Sequence, residues 1–246
     1  MSQLATVFMF SGQGSQYFQM GRALFDLNAT FRHSMTRLDC LVQELSGHSV
    51  IDTLYSAGHS KSAVFDRTLL THPAIFMVEY SLAQSLVHAG VVPDVTLGVS
   101  LGSFAAAAVA GFIDAEDALM AVVRQASTLE TYCEPGGMMA VLADPSLYAE
   151  DFLSSNSELA AVNFPSHFLV SAKHAQFAEI EAGLKTRNVT FQRLPVSFAF
   201  HSQWIEKART PFESFMKSIH YKTGELPLMC CDQTTILAEL PDSYFW

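Results

Sequence analysis

The apolar run Asp94-Val95-Thr96-Leu97-Gly98-Val99 leads directly into Ser100-Leu101-Gly102 and then into the small-residue stretch from Ser103 to Ala110. A buried strand, a turn crowded enough to want glycine on both sides of a serine, and a helix of small residues fit together in few ways. The pentapeptide Gly98-Val99-Ser100-Leu101-Gly102 has the GxSxG form. At a cramped strand-to-helix turn the serine hydroxyl is exposed, and the helix N-terminus aims backbone N–H groups at an oxyanion developing beside it. The expectation is an α/β enzyme in which Ser100 is a reactive nucleophile that carries an acyl group.

The rest of the chain supports a layered α/β reading. Residues 4–10 read as a strand buried on both faces, turned by Gly12-Gln13-Gly14. Helices are predicted around 17–28 and 30–45, over 73–90 (opened by Pro73 and closed by Gly90) and over 115–131. After Gly136-Gly137 the pattern changes. Strands are predicted at 138–143, 159–164, 168–172 and 189–197, with helices at 146–155 and 174–187. This α+β block, taken as 135–197, looks inserted into a domain formed by 1–134 and 198–246. From His201 to about 220 the chain reads as helical, and PLMCC as a last strand. The final PDSYFW, bulky and aromatic, reads as a cut inside a fold.

Composition narrows the function. The 246 residues are half hydrophobic and only 15% charged, enough for a sizeable core. With 14 Lys plus Arg against 24 Asp plus Glu, the net charge of -10 repels phosphate backbones, and no basic strip offsets it. Nucleic acid is therefore excluded as a partner. The start, MSQLATVFMFSGQGSQ, lacks the basic region of a signal peptide, and Leu101–Ile113 is too short to cross a bilayer. Cys40, Cys133, Cys230 and Cys231 show neither metal-ligand spacing nor a disulfide framework. These features point to reduced thiols in a cytoplasmic protein with no membrane association.

A serine nucleophile needs a base. Of nine histidines, His201 stands out because it ends the apolar run Val196–Phe200 at a change from strand to loop. His72 and His167 are its rivals, and no acidic residue is an obvious orienting partner. If the first strand lies beside the Ser100 strand, the turn after it faces the nucleophile, and Gln13 can offer a backbone N–H to the oxyanion. That turn lacks the pattern of a phosphate loop or a dinucleotide fingerprint.

MFSGQGSQYFQMG, GVSLG and the following AGFIDAEDALMAVV together resemble the malonyl-CoA:acyl carrier protein transacylase family, over the whole chain. Within it, the chain is most similar to the stand-alone acyltransferase and acyl hydrolase proteins of polyketide assembly lines. The resemblance implies an α/β-hydrolase-like parallel-sheet domain with an inserted ferredoxin-like subdomain. It implies Ser100 as nucleophile, His201 as base, and the N–H groups of Gln13 and Leu101 as oxyanion hole. Asn163 matches a pocket-lining position. The partner it implies is acyl carrier protein with a phosphopantetheine thioester, or an acyl-CoA. No metal or organic cofactor follows, coenzyme A being a substrate handle. Relatives continue beyond residue 246, and that continuation supplies the carbonyl that orients the histidine.

Two departures bear on the substrate. Val99 replaces the His of the family's GHSLG. Gln125 stands where malonyl-specific members carry an Arg for the extender carboxylate. A neutral amide cannot compensate a buried carboxylate, and the adjacent Arg124 points about 100° away on a helix. With Phe198 and Phe200 ahead of His201, this implies an apolar acyl pocket suited to non-carboxylated chains. The reading is hydrolysis of such acyl groups from carrier protein, with acetyl or malonyl transfer as the alternative. A non-catalytic carrier-docking protein and a simple esterase are the rivals from other classes.

Overall fold

The computed structural model describes residues 5–230, 235–241 and 244–246. Leu4, expected in the first strand, and Cys231 lie outside the described residues. The elements, in chain order, begin with β1 (Val7–Phe10), α1 (Arg22–Leu27), α2 (Ala29–Ser46), α3 (Val50–Leu54) and α4 (Thr68–His88). Next come β2 (Val95–Gly98), α5 (Gly102–Val109) and α6 (Ala115–Tyr132). An antiparallel section follows: β3 (Gly136–Leu142), α7 (Asp151–Ser154), β4 (Glu158–Phe164), β5 (His167–Lys173), α8 (Phe177–Thr186) and β6 (Thr190–Arg193). The chain closes with α9 (Arg209–Met216), β7 (Leu228–Met229) and β8 (Ile236–Leu237).

The molecule is mixed α/β, in two compact units: residues 1–65, 69–127 and 211–246, and residues 66–68 and 128–210. In the larger unit the sheet runs β1-β2-β7-β8, with β1, β2 and β7 parallel and β8 antiparallel to β7. The register sets Phe10 opposite Gly98, so both strands end at the same level. The core of this unit gathers Phe31, Met35, Phe76, Phe104 and Phe112. In α5, Ala105, Ala106 and Ala107 are fully buried, as expected where a helix backbone must come close to a sheet.

The smaller unit is a four-stranded antiparallel sheet in the order β4-β5-β3-β6, with α7 and α8 as its helices. That is the ferredoxin-like β-α-β-β-α-β arrangement. Phe168, Val170, Phe177 and Ile180 fill its core.

The differences from expectation have local causes. The helix expected from 17 shortens to α1 because Gln19 and Gly21 have left-handed φ of 68° and 71°, which a helix cannot continue through. α4 starts five residues before Pro73, so that proline lies within the helix and not at its first position. The segment expected as helix over 146–155 splits, because Glu150 is extended between a 3₁₀ turn and α7. β6 ends at Arg193: Leu194 makes one further bond to the Met138 carbonyl, and Pro195 then has no N–H to offer. Beyond His201 the helix is also divided, with a 3₁₀ stretch Gln203–Ala208 ahead of α9. β8 was not foreseen.

Candidate functional site

In the larger unit, Ser100 sits between β2 and α5 with φ of +53°. Left-handed backbone costs a non-glycine residue about 1–2 kcal/mol, and such strain concentrates at functional positions. Among the described residues only four non-glycines have positive φ: Gln19, Ser100, Asn188 and His201. Two of the four are the residues that the sequence nominated as nucleophile and base.

The turn is closed by Gly102 N–H to the Val99 carbonyl and Ser103 N–H to the Ser100 carbonyl, both 3.0 Å. Its glycines are steric requirements. A Cβ on Gly98 would lie 2.5 Å from the Gly102 carbonyl oxygen, and one on Gly102 would overlap the Phe10 carbonyl and stand 2.6 Å from the Ser11 carbonyl oxygen. Gly102→Ala is therefore expected to destabilise the protein by about 3 kcal/mol or more, since backbone meets backbone with nowhere to move. Urea midpoints of the two proteins check this, and an unchanged midpoint would remove the packing argument for the elbow.

The loop after β1 comes up to the same turn. Val99 N–H donates to the Phe10 carbonyl at 3.0 Å. A Cβ on Gly12 would stand 2.9 Å from the Val99 carbonyl oxygen, 3.1 Å from Ser100 Cβ and 3.7 Å from its Oγ. Gly12 is thus the reason the loop can approach the nucleophile so closely. Leu101 is buried at the start of α5, where the first N–H groups of a helix have no partner inside it. Val99 is exposed beside the serine.

Gln13 is held from α4. Its Oε1 accepts from His72 Nε2–H at 2.9 Å, and its Nε2 donates to Thr71 Oγ1 at 3.1 Å. His72 is buried, which lowers its pKa to about 3, so the ring is neutral and committed to Gln13. Neither this pairing nor the part of Glu79, whose Oε1 accepts the Ser11 N–H at 2.6 Å, was legible along the chain. The available signal was a lone acid in the otherwise apolar run Ala74–Tyr80.

Gln125, on α6, is half-buried, and its Nε2 donates to the Phe245 carbonyl at 3.4 Å. Arg124 is exposed, with its guanidinium 5.9 Å from the Phe215 ring centre. The two side chains leave the helix in different directions, as their spacing required.

In the smaller unit, His201 has φ of +57° and follows Phe198 and Phe200, whose rings meet edge to face at 6.2 Å. Ser171 Oγ of β5 donates to the Phe200 carbonyl, and Ser202 Oγ donates to the Ala199 carbonyl at 2.5 Å, so backbone on both sides of His201 is pinned. The ring keeps some solvent access, yet the protein around it disfavours its charged form and lowers its pKa below the usual 6.5. His167 pairs locally with Asn163 at 3.4 Å across the β4–β5 hairpin, where Asn163 is exposed. Cys133 is buried, which raises its thiol pKa, and its Sγ donates to the Ile205 carbonyl. Among the described residues no group of three or more His, Cys, Asp and Glu is arranged to hold a metal, and no helix is long and apolar enough to cross a membrane.

Comparison with known proteins adds to this geometry. The family model for the acyl transferase domain matches residues 7–238. The polyketide biosynthesis acyltransferase homolog BaeD of Bacillus velezensis is 43% identical over 241 residues, covering 98% of this chain and 74% of that protein. The homolog PksD of Bacillus subtilis is 41% identical, with the same coverage of 98% and 74%. Among solved structures, the loading acyltransferase of the avermectin modular polyketide synthase matches with a TM-score of 0.88 at 28% identity, covering 98% of this chain and 77% of that one. The acyltransferase domain of the second salinomycin module gives 0.83 at 28% identity, covering 99% and 57%. This chain therefore spans about three quarters of these two curated relatives and little more than half of the salinomycin chain. Strand, elbow, insert and sequence together place it in one group: the chain belongs to the acyl transferase domain family of enzymes and is closely related to the free-standing acyltransferase homologues of polyketide biosynthesis.

Proposed function

We propose that this chain hydrolyses non-carboxylated acyl groups from acyl carrier protein through a Ser100 acyl-enzyme. Ser100 Oγ attacks the thioester carbonyl carbon while His201 takes its proton, and the oxyanion is received by the N–H groups of Gln13 and Leu101. The C–S bond then breaks, and the pantetheine sulfur takes the proton from His201. Water, deprotonated by the same histidine, attacks the Ser100 ester. The acid leaves and the proton returns to Ser100 Oγ. The strained elbow and the close approach of Gly12 support the acylation half.

The observation that carries the choice of acyl group is Gln125, half-buried and neutral, with the neighbouring Arg124 exposed and set against Phe215. A malonyl carboxylate brought there would lack a cationic partner, at a cost that an acetyl or butyryl group does not incur. Phe198 and Phe200, with Val99 beside the nucleophile, agree with an apolar acyl group. The names of the relatives favour a second reading, transfer of the acyl group to another carrier thiol. The acyl-enzyme is common to both, and only the acceptor differs.

Intact-mass measurement of acetyl-, butyryl- and malonyl-loaded carrier protein tests the proposal. Loss of the neutral acyl groups to water, with malonyl-carrier persisting, is the expected result; discharge only to a second carrier would establish transfer. Gln125→Arg is expected to raise turnover of malonyl relative to acetyl by about tenfold or more, the scale of one charge-assisted hydrogen bond. A ratio that stays put would sink the assignment of Gln125.

A further inference from the structure

Three oxygen-to-oxygen contacts run from α4 into the loop beside the nucleophile. Glu79 Oε1 and Ser11 Oγ are 2.7 Å apart, Ser11 Oγ and Ser15 Oγ 2.9 Å, and Ser15 Oγ and the Gly12 carbonyl oxygen 2.9 Å. Each contact at such a distance needs one proton between its oxygens, or lone pairs face each other. A carbonyl supplies none, and the two serines supply one each. Ser11 Oγ would otherwise have to share its one proton between Glu79 Oε1 and Ser15 Oγ, and a proton on Glu79 supplies the third. With the carboxyl protonated on Oε1, Glu79 donates to Ser11 Oγ, Ser11 donates to Ser15 Oγ, and Ser15 donates to the Gly12 carbonyl. The Ser11 N–H is accounted for separately, since it donates to Glu79 Oε1 at 2.6 Å.

We propose that Glu79 is a positioning residue for the Gly12–Gln13 loop, present as a neutral carboxylic acid at the head of a one-way hydrogen-bond chain through Ser11 and Ser15 to the Gly12 carbonyl. Two further facts agree. Glu79 Oε2 is buried with no hydrogen-bond partner among the described residues, which suits the carbonyl oxygen of a neutral acid far better than half of a carboxylate. Burial also pushes the Glu79 pKa up to about 7 although the Ser11 N–H bond pulls it down, and no charged neighbour is among the causes.

The consequence is mechanical. Gly12 lies against Ser100, and its carbonyl is the first atom of the peptide that carries the Gln13 N–H. Fixing that oxygen fixes the plane of the peptide and therefore the direction of the N–H. The side chain of Gln13 is held independently by His72 and Thr71, so the loop is braced at both ends of one peptide unit. A neutral acid does this without placing a negative charge beside a site where an oxyanion forms. The functional part of the inference rests on the reading that Gln13 N–H serves that oxyanion.

Two measurements test it. Isotope-edited infrared spectroscopy, with carbon-13 glutamate, should show the carbonyl stretch of a protonated carboxylic acid at neutral pH, absent from Glu79→Gln. A spectrum with carboxylate bands only would overturn the proposal. The second measurement is single-turnover acylation of Ser100 by acetyl-loaded carrier protein in Ser11→Ala, which removes two of the three contacts from an exposed position and leaves α4 untouched. Acylation is expected to slow about tenfold to a hundredfold, with KM within about twofold, because the defect lies in oxyanion stabilisation. Glu79→Gln, which can still make one of its two bonds to Ser11, should fall between Ser11→Ala and the wild type. Acylation of Ser11→Ala at the wild-type rate would overturn the positioning role. If the wild type itself never acylates, the functional reading beneath it fails, while the infrared result still decides the state of Glu79.

Discussion

Ser100→Ala is expected to form no acyl-enzyme at all, and its thioester turnover should drop by about four orders of magnitude or more. The reason is chemical, since among the described residues no other hydroxyl is set on a strained turn at the start of a helix with the Gly12 loop against it. Intact mass of the protein after mixing with acetyl-carrier reports it directly. A residual adduct would place the nucleophile elsewhere. The same position carries a stability test. With φ of +53° the backbone is unfavourable for any side chain, so Ser100→Gly should be about 1 kcal/mol more stable than Ser100→Ala while equally inactive. Equal denaturation midpoints would mean that the turn is not strained.

His201→Gln should be nearly as damaging, with acylation down about a thousandfold or more and the fold intact, because in the proposed mechanism His201 is the group that takes the proton of the attacking hydroxyl. The wild-type pH profile supplies an independent signature. A base works in its neutral form, so activity is full above the folded-state pKa and disappears as pH falls through it. Desolvation lowers the His201 pKa, which moves this acid limb to the acid side of the usual 6.5. A limb in kcat/KM at or above 6.5 would point to a charged partner raising the value instead, or to a different base.

The proposed hydrolysis and the proposed positioning chain draw on different parts of the molecule. In the proposed reading Gln125 bears on which acyl group is accepted, and its exchange for Arg should leave Ser100 acylation by acetyl groups possible. The Glu79–Ser11–Ser15 chain bears on how fast any acyl group is transferred to Ser100. Combining Gln125→Arg with Ser11→Ala should therefore give nearly additive effects, selectivity following the first change and rate the second.

What the sequence determined by itself was whatever depends on neighbours along the chain. The GxSxG elbow was legible because its sterics involve a strand, a turn and a helix that are contiguous from Val95 to Val109. The inserted antiparallel unit was legible because its strands alternate with short helices within about 60 residues, and each element carries its own pattern. Errors fell where single residues overrode the pattern: left-handed Gln19 and Gly21 cut α1 short, and Pro195 stopped the last strand of the insert. The tertiary structure alone decided the contacts that join distant segments. Gln13 meets His72 across 59 residues, and Ser11 meets Glu79 across 68. No local pattern encodes such pairs, because a buried polar group gives up water only where the fold brings it a partner, and the identity of that partner is set by packing.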